Sequence, residues 1–212
     1  MIILGLTGSI AMGKSETASM FRRLGVPVFD ADGVVHRAQA KDGVAIPAIS
    51  KLFEGVVTDG VLDRAKLGTI VFADRPRLAD LVNVMTPIIR QARAAFFNQA
   101  IAEDEKIVVL DEPLLFENGG DKQCDAIIVV SAPEHIQRAR AMARSVMTEE
   151  KLAQILAQQM PDQEKRAKAD YIIETDKGLD HAFEAVKGII SEANEITPRA
   201  YKEYWENAGN NF

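Results

Sequence analysis

Short apolar runs alternate along the chain with longer stretches of helical periodicity. The runs are Ile2–Leu6, Val26–Phe29, Ile107–Leu110, Ala126–Val130 and Tyr171–Ile173. Each is apolar almost throughout, without a polar residue at every second position. Such strands belong in a parallel sheet covered by helices on both faces. Strands alternating with helices make the chain α/β, and the architecture expected is three layers around a parallel five-stranded sheet.

The spacing of the runs is uneven. Residues 30–106 separate the second from the third, far more than one crossover helix requires. Helical patterns fill that gap near Val44–Phe53, Arg64–Phe72, Arg75–Met85 and Pro87–Ala102. Thr86-Pro87 reads as the start of the last, a capping hydroxyl before proline at the first helical position. A helical insertion over about 58–104 is therefore expected beside the sheet. A second helical excursion, about 134–168, carries Arg138, Arg140 and Arg144. Pro133 opens it, and Thr148 before Glu149-Glu150 restarts a helix with acids in its first turn.

Charge and cysteine content narrow the classes. The 212 residues carry a net charge of −6, which argues against a broad basic face for nucleic acid or anionic membranes while leaving room for a local phosphate pocket. Cys124 is the single cysteine, so no intrachain disulfide forms, and it reads as a core residue. The opening run lacks a basic leader and reads as a buried strand, and no stretch reaches the length of a membrane span. The expectation is a cytoplasmic protein, for which a monomer is compatible and no oligomeric state is set.

Candidate chemistry begins directly after the first run. Gly8-Ser9-Ile10-Ala11-Met12-Gly13-Lys14-Ser15 satisfies G-x-x-x-x-G-K-[ST] at every specified position. A loop bounded by glycines turns its backbone N–H groups toward a β-phosphate. Lys14 adds a point charge, Ser15 offers a hydroxyl to Mg²⁺, and the helix beginning near Lys14 adds the positive end of its dipole. The motif follows an apolar strand and precedes an amphipathic helix, as it must. It reads as a nucleotide site, with ATP and Mg²⁺ as the expected ligands.

Further residues separate the kinds of P-loop protein. A GTPase would need N-K-x-D after a later strand, and Asn118-Gly119-Gly120-Asp121 does not fit. Ile107–Leu110 followed by Asp111-Glu112 mimics the strand and acid pair of ABC-type ATPases, but the L-S-G-G-Q-like segment they require is missing. Asp111 either reaches Mg²⁺ or caps a turn. The second run ends in Asp30-Ala31-Asp32. Transfer to a hydroxyl needs a carboxylate to orient the acceptor and take its proton, which this pair can supply, with the neighbour helping to place Mg²⁺. The alternative is that both aspartates merely start a turn and cap a helix. Arg140 and Arg144, four apart, share a helix face and either close over the phosphates or form a solvated surface, whereas Arg138 points elsewhere.

Taken in order, these pieces resemble the dephospho-coenzyme A kinase family over about residues 2–176. The resemblance runs through Leu6-Thr7-Gly8 and the phosphate loop to Gly25-Val26-Pro27-Val28-Phe29-Asp30-Ala31-Asp32, Val71-Phe72-Ala73-Asp74 and Thr86-Pro87-Ile88-Ile89-Arg90. It continues through Asp111-Glu112-Pro113-Leu114-Leu115-Phe116-Glu117, Gln154-Ile155-Leu156-Ala157-Gln158-Gln159-Met160-Pro161 and Lys168-Ala169-Asp170-Tyr171-Ile172-Ile173. It implies a P-loop kinase with a helical acceptor-binding subdomain and a helical lid, acting on ATP and dephospho-CoA. Asp32 would be the acceptor-side base, and Arg140 and Arg144 the lid arginines. Thr86, Leu114, Leu115 and Glu117 would lie on the acceptor side. The chain departs from the family pattern at Ser9 and Ala11, where glycine is frequent, at Glu16 in place of threonine, at Thr86 in place of histidine, and at Thr175 in place of asparagine. Ala11 would be strained if its position needs positive φ.

Overall fold

All six residues of the run Ile2–Thr7 are buried, as are Ile107–Asp111 and Ala126–Ser131. Strands covered on both faces have no use for alternating polar residues, and this accounts for the continuous apolar runs. The structure, a computed structural model, describes residues 1–145 and 147–206, and of Phe72 the backbone but not the side chain.

The chain opens with β1 (Ile2–Thr7), α1 (Lys14–Arg23), β2 (Val28–Asp30), α2 (Ala31–Ala38) and α3 (Ile46–Leu52). Next come β3 (Val57–Thr58), β4 (Val61–Leu62), α4 (Arg64–Ala73), α5 (Arg75–Ala102) and β5 (Ile107–Asp111). Then follow β6 (Ala126–Ser131), α6 (Glu134–Met142), α7 (Glu149–Leu156), α8 (Asp162–Ala167), β7 (Tyr171–Glu174) and α9 (Leu179–Ala193). The five runs expected to be strands are those of the main sheet, ordered β2-β5-β1-β6-β7. Ile2 to Leu6 pair in parallel with Ile107 to Asp111, Leu4 to Thr7 with Ala126 to Val129, and Ile128 to Ser131 with Tyr171 to Glu174.

The chain divides into two compact units, Met1–Phe29 with Gln99 onward, and Asp30–Asn98. In the first, Leu4 and Leu6 of β1 join Ile128 and Val130 of β6, Phe21 of α1 and Val186 of α9 in one apolar cluster. Gly5 faces the other side of the sheet, where a Cβ would lie 2.7 Å from Leu115 Cδ2 and 2.9 Å from Cys124 Sγ. Both faces are thus covered, giving the three layers expected, and Cys124 is buried. Thr148 caps α7 by accepting the Lys151 N–H, as its sequence suggests.

The second unit has its own core, in which Ala45, Ile46, Ile49 and Phe53 pack with Leu62, Leu67, Val71 and Met85. Because α3 contributes to that core, the unit begins well ahead of residue 58. A two-stranded antiparallel hairpin, β3–β4, was not expected from the apolar pattern. Its signal was Asp59-Gly60, with φ of 49° and 74°, the positive pair that a tight hairpin turn demands. Thr86-Pro87 does not start a helix. α5 runs unbroken from Arg75 to Ala102 through Pro87, and the Thr86 hydroxyl donates backward to Val82 O at 2.8 Å. A threonine side chain satisfied inside the preceding turn cannot cap the next one.

Candidate active site

The phosphate loop is shaped by what surrounds it. At Gly8 a Cβ would lie 2.4 Å from Val130 Cγ2, so only glycine passes beneath β6. Gly13 sits at φ 99° as the N-cap of α1, and a Cβ there would meet Thr175 at 3.0 Å. Between them Ser9, Ala11 and Met12 are buried while Ile10 is half-exposed. Ala11 does adopt positive φ, 62°, the strained region anticipated for it. Its methyl group packs in a small cluster with Ala141 and Leu152, against which Ile10, Met147 and Leu156 also lie. Burial of these groups opposes the strain.

Lys14 opens α1 and its Nζ lies 2.6 Å from Asp111 Oδ1 at the end of β5. The two side chains are 15% and 6% exposed, so the pair sits at the edge of the solvent where a phosphate could reach the lysine. Ser15 and Glu16, in the first turn of α1, are exposed. The first-turn N–H groups have no carbonyl one turn earlier to bond, which leaves them directed at whatever occupies the loop. A serine hydroxyl and a strand-end carboxylate are hard oxygen donors suited to Mg²⁺, which takes one or two protein oxygens and completes its shell with phosphate and water. Three-residue clusters of His, Cys, Asp or Glu are absent among the described residues.

The helices after β6 grip the same loop. Gln159 Oε1 accepts the Ile10 N–H at 3.0 Å, and Gln137 Nε2 donates to Ile10 O at 2.9 Å. Arg140 donates to Thr175 twice, to Oγ1 and to the backbone O, each at 2.8 Å, and the Thr175 hydroxyl donates in turn to Met12 O at 2.8 Å. The guanidinium is therefore one side chain removed from the loop backbone. The Arg140–Arg144 helix face is not formed. α6 ends at Met142, the Arg144 N–H turns back to Ala141 O, and Arg144 is exposed in the turn. Arg138 pairs on the surface with Glu149 at 2.7 Å.

The stretch after β5 is tied down by a buried lysine. Lys165 of α8 is 0% exposed, and its Nζ reaches Glu117 Oε1 at 3.0 Å and Pro113 O at 3.3 Å. Glu117 Oε1 also accepts the Met160 N–H at 2.6 Å. Burial works against ionisation of Glu117, yet the Met160 N–H and the Lys165 ammonium prevail and hold its carboxyl below the usual carboxylate range. Leu115 is 1% exposed and turns into the core over Gly5, whereas Leu114 and Glu117 are each partly exposed.

In the second unit, Asp30 accepts the Gly33 N–H at 2.8 Å and so caps α2, taking up the helix-capping alternative. Asp32 stands exposed in the first turn of α2. Thr86 is half-buried in α5 with its hydroxyl engaged by Val82 O. Sequence reasoning missed Gln137, Lys165 and the relay through Thr175. The Gln158-Gln159-Met160-Pro161 stretch was noticed as a motif, without its hold on Ile10 and Glu117.

Comparison with known proteins adds to this geometry. A family model described as dephospho-CoA kinase matches residues 2–181. A Mesorhizobium japonicum protein named dephospho-CoA kinase is 52% identical over 192 residues, covering 91% of this chain and 96% of its own. A protein of that name from Rhodopseudomonas palustris is 45% identical across 94% of this chain and 99% of its own. Among solved structures, TT1252 from Thermus thermophilus superposes with a TM-score of 0.77 at 34% identity, covering 90% of this chain and 97% of that one. Dephospho-CoA kinase from Campylobacter jejuni does so with 0.63 at 26% identity, covering 91% and 97%.

Proposed function

The chain belongs to the dephospho-CoA kinase family, and from that premise we propose that it transfers the γ-phosphoryl group of ATP to the ribose 3′-hydroxyl of dephospho-CoA, completing coenzyme A. The observation that carries this reading is the Gly8–Ser15 loop, built around two obligatory glycines, with Lys14 poised beside Asp111 at the end of β5.

In the reaction the 3′-oxygen attacks the γ-phosphorus in line. The bond from that phosphorus to the β–γ bridging oxygen breaks, ADP leaves, and the hydroxyl proton passes to Asp32. Gly8 to Ser15 and the first turn of α1, with Glu16 at its rim, hold the β- and γ-phosphates by backbone N–H groups. Lys14 exchanges Asp111 for phosphate, and Arg140 and Arg144 neutralise charge that builds up in transfer. Ser15, with Asp111, is the set that would hold Mg²⁺, which would supply neutralisation of phosphate charge. Asp30 is occupied in capping α2 and its part is to fix Asp32. Thr86, Leu114 and Glu117 are read as acceptor contacts, with Leu115 supporting Leu114 from the core. Among the described residues no helix is long and apolar enough to cross a membrane, and the reading is of a cytoplasmic enzyme.

The test is an acceptor panel. Purified protein is incubated with ATP and Mg²⁺ and with dephospho-CoA, shikimate, gluconate or nucleosides, and products are followed by mass. The expected result is CoA as the dominant product, lost when Mg²⁺ is chelated. A nucleoside or sugar phosphorylated in preference to dephospho-CoA would overturn the acceptor assignment.

A further inference from the structure

We propose that Lys165 is a positioning residue for the acceptor, acting through the loop 113–117 and most directly through Glu117. This rests on the function proposed above. The geometry is unusual for a lysine. It is fully buried, and its ammonium reaches two acceptors of one short loop, Pro113 O at one end and Glu117 Oε1 at the other. One cation thus spans the loop and sets the distance across it.

Two neighbouring bonds extend the clamp. The Thr7 hydroxyl, immediately before the phosphate loop, donates to the same Pro113 O at 3.3 Å. The Met160 N–H, two residues before the start of α8, donates to the same Glu117 oxygen. The entrance of the phosphate loop, the 113–117 loop and the lid segment therefore meet around a single ammonium. Glu117 Oε2 is buried and has no hydrogen-bond partner among the described residues. With Oε1 engaged by Lys165 and Met160, the carboxylate is held in one orientation.

Stability alone does not explain such a residue. Replacing a buried ion pair by apolar side chains of similar volume is commonly neutral or stabilising, because each charge loses its hydration on burial. A lysine here costs desolvation, and what it supplies in return is a fixed loop geometry and an ionised Glu117.

The experiment compares unaltered protein with Lys165→Met, Lys165→Gln, Glu117→Gln and the double variant Lys165→Met/Glu117→Gln. Each is measured for KM with dephospho-CoA, KM with ATP, kcat and thermal midpoint. Lys165→Met is expected to raise KM for dephospho-CoA tenfold or more with KM for ATP within twofold. Lys165→Gln, which keeps N–H donors, is expected to fall between. The double variant should be no worse than the poorer single one, since both remove one device. Unchanged KM for dephospho-CoA in folded variants, with activity falling only as the folded fraction falls, would overturn the proposal. So would failure of both Lys165 variants to fold, which would make the lysine structural. CoA formation by the unaltered protein is the separate control, and its absence would instead overturn the function on which this inference depends.

Discussion

The unit that carries the phosphate loop and the unit Asp30–Asn98 are built on different terms. Around the loop Gly8–Ser15, backbone groups are held by partners distant in the chain: Gln137 lies 127 residues from Ile10, Gln159 lies 149, and Thr175 reaches Met12 across 163. In the unit Asp30–Asn98 the described side-chain bonds reach no further than the 46 residues from Gln39 to Met85, and several, Asp30 to Gly33, Asp63 to Lys66 and Thr86 to Val82, stay within one helical turn. Asp32 stands exposed on a helix start that its neighbour caps. The contrast matches the demands of the chemistry. A triphosphate needs donors fixed in advance, because preorganised dipoles act without reorganising in the transition state. An acceptor carboxylate needs only to be held near a hydroxyl and left ionised.

Breaking the two sides should give different signatures. On a common scale, where a factor of ten is about 1.4 kcal/mol, the largest effect is expected at Asp32. Asp32→Asn should lower kcat by about 10²–10⁴ while calorimetric ATP affinity stays intact; equal loss of ATP binding would merge the two sides. Phe53 is 0% exposed in the core of the Asp30–Asn98 unit, with the Arg77 guanidinium 4.8 Å from its ring centroid. Phe53→Ala should cost about 3–5 kcal/mol, seen as an early unfolding step that abolishes acceptor turnover before ATP binding is lost. A single transition carrying both losses would show that the units do not unfold separately.

Lys14→Ala should lower turnover by about 10²–10³, the cost of losing one charge-stabilising donor, and should weaken ATP binding together with it. The smallest effect is pH-dependent. Because Glu117 is held below the usual carboxylate range, its contribution to stability is fully present above that range and is lost as pH falls through its depressed value. Unfolding midpoints of unaltered protein and Glu117→Gln should therefore differ at neutral pH and converge in acid; a constant gap would contradict the assignment.

How much of this could be read from the residues depends on where the partners lie. β1, the phosphate loop and α1 are contiguous, and steric necessity at Gly8 and Gly13 writes itself into a local motif. The five buried strands were legible because burial on both faces removes polar residues from them. α5 was misdivided because Thr86-Pro87 has the same local chemistry as a helix start, and only the turn it grows from decides which way the hydroxyl bonds. The hairpin at Asp59-Gly60 was readable and overlooked, two residues per strand being too short to show alternation. Arg140 and Arg144 were paired on spacing, but the helix they were to share stops at Met142. Lys165 left no local trace. Its polar partners lie in the 113–117 loop, Pro113 being 52 residues away, and nothing in Asp162–Ala167 distinguishes it from a solvated lysine.

The central claim is that this chain phosphorylates one hydroxyl of dephospho-CoA. The most direct measurement is ³¹P NMR of the product formed from ATP, Mg²⁺ and dephospho-CoA, with Lys14→Ala run in parallel. The account predicts one new phosphomonoester signal coupled to the ribose 3′ proton, stoichiometric with ADP and nearly absent in the variant. ADP and inorganic phosphate alone, or a phosphoryl group at another hydroxyl, would contradict it.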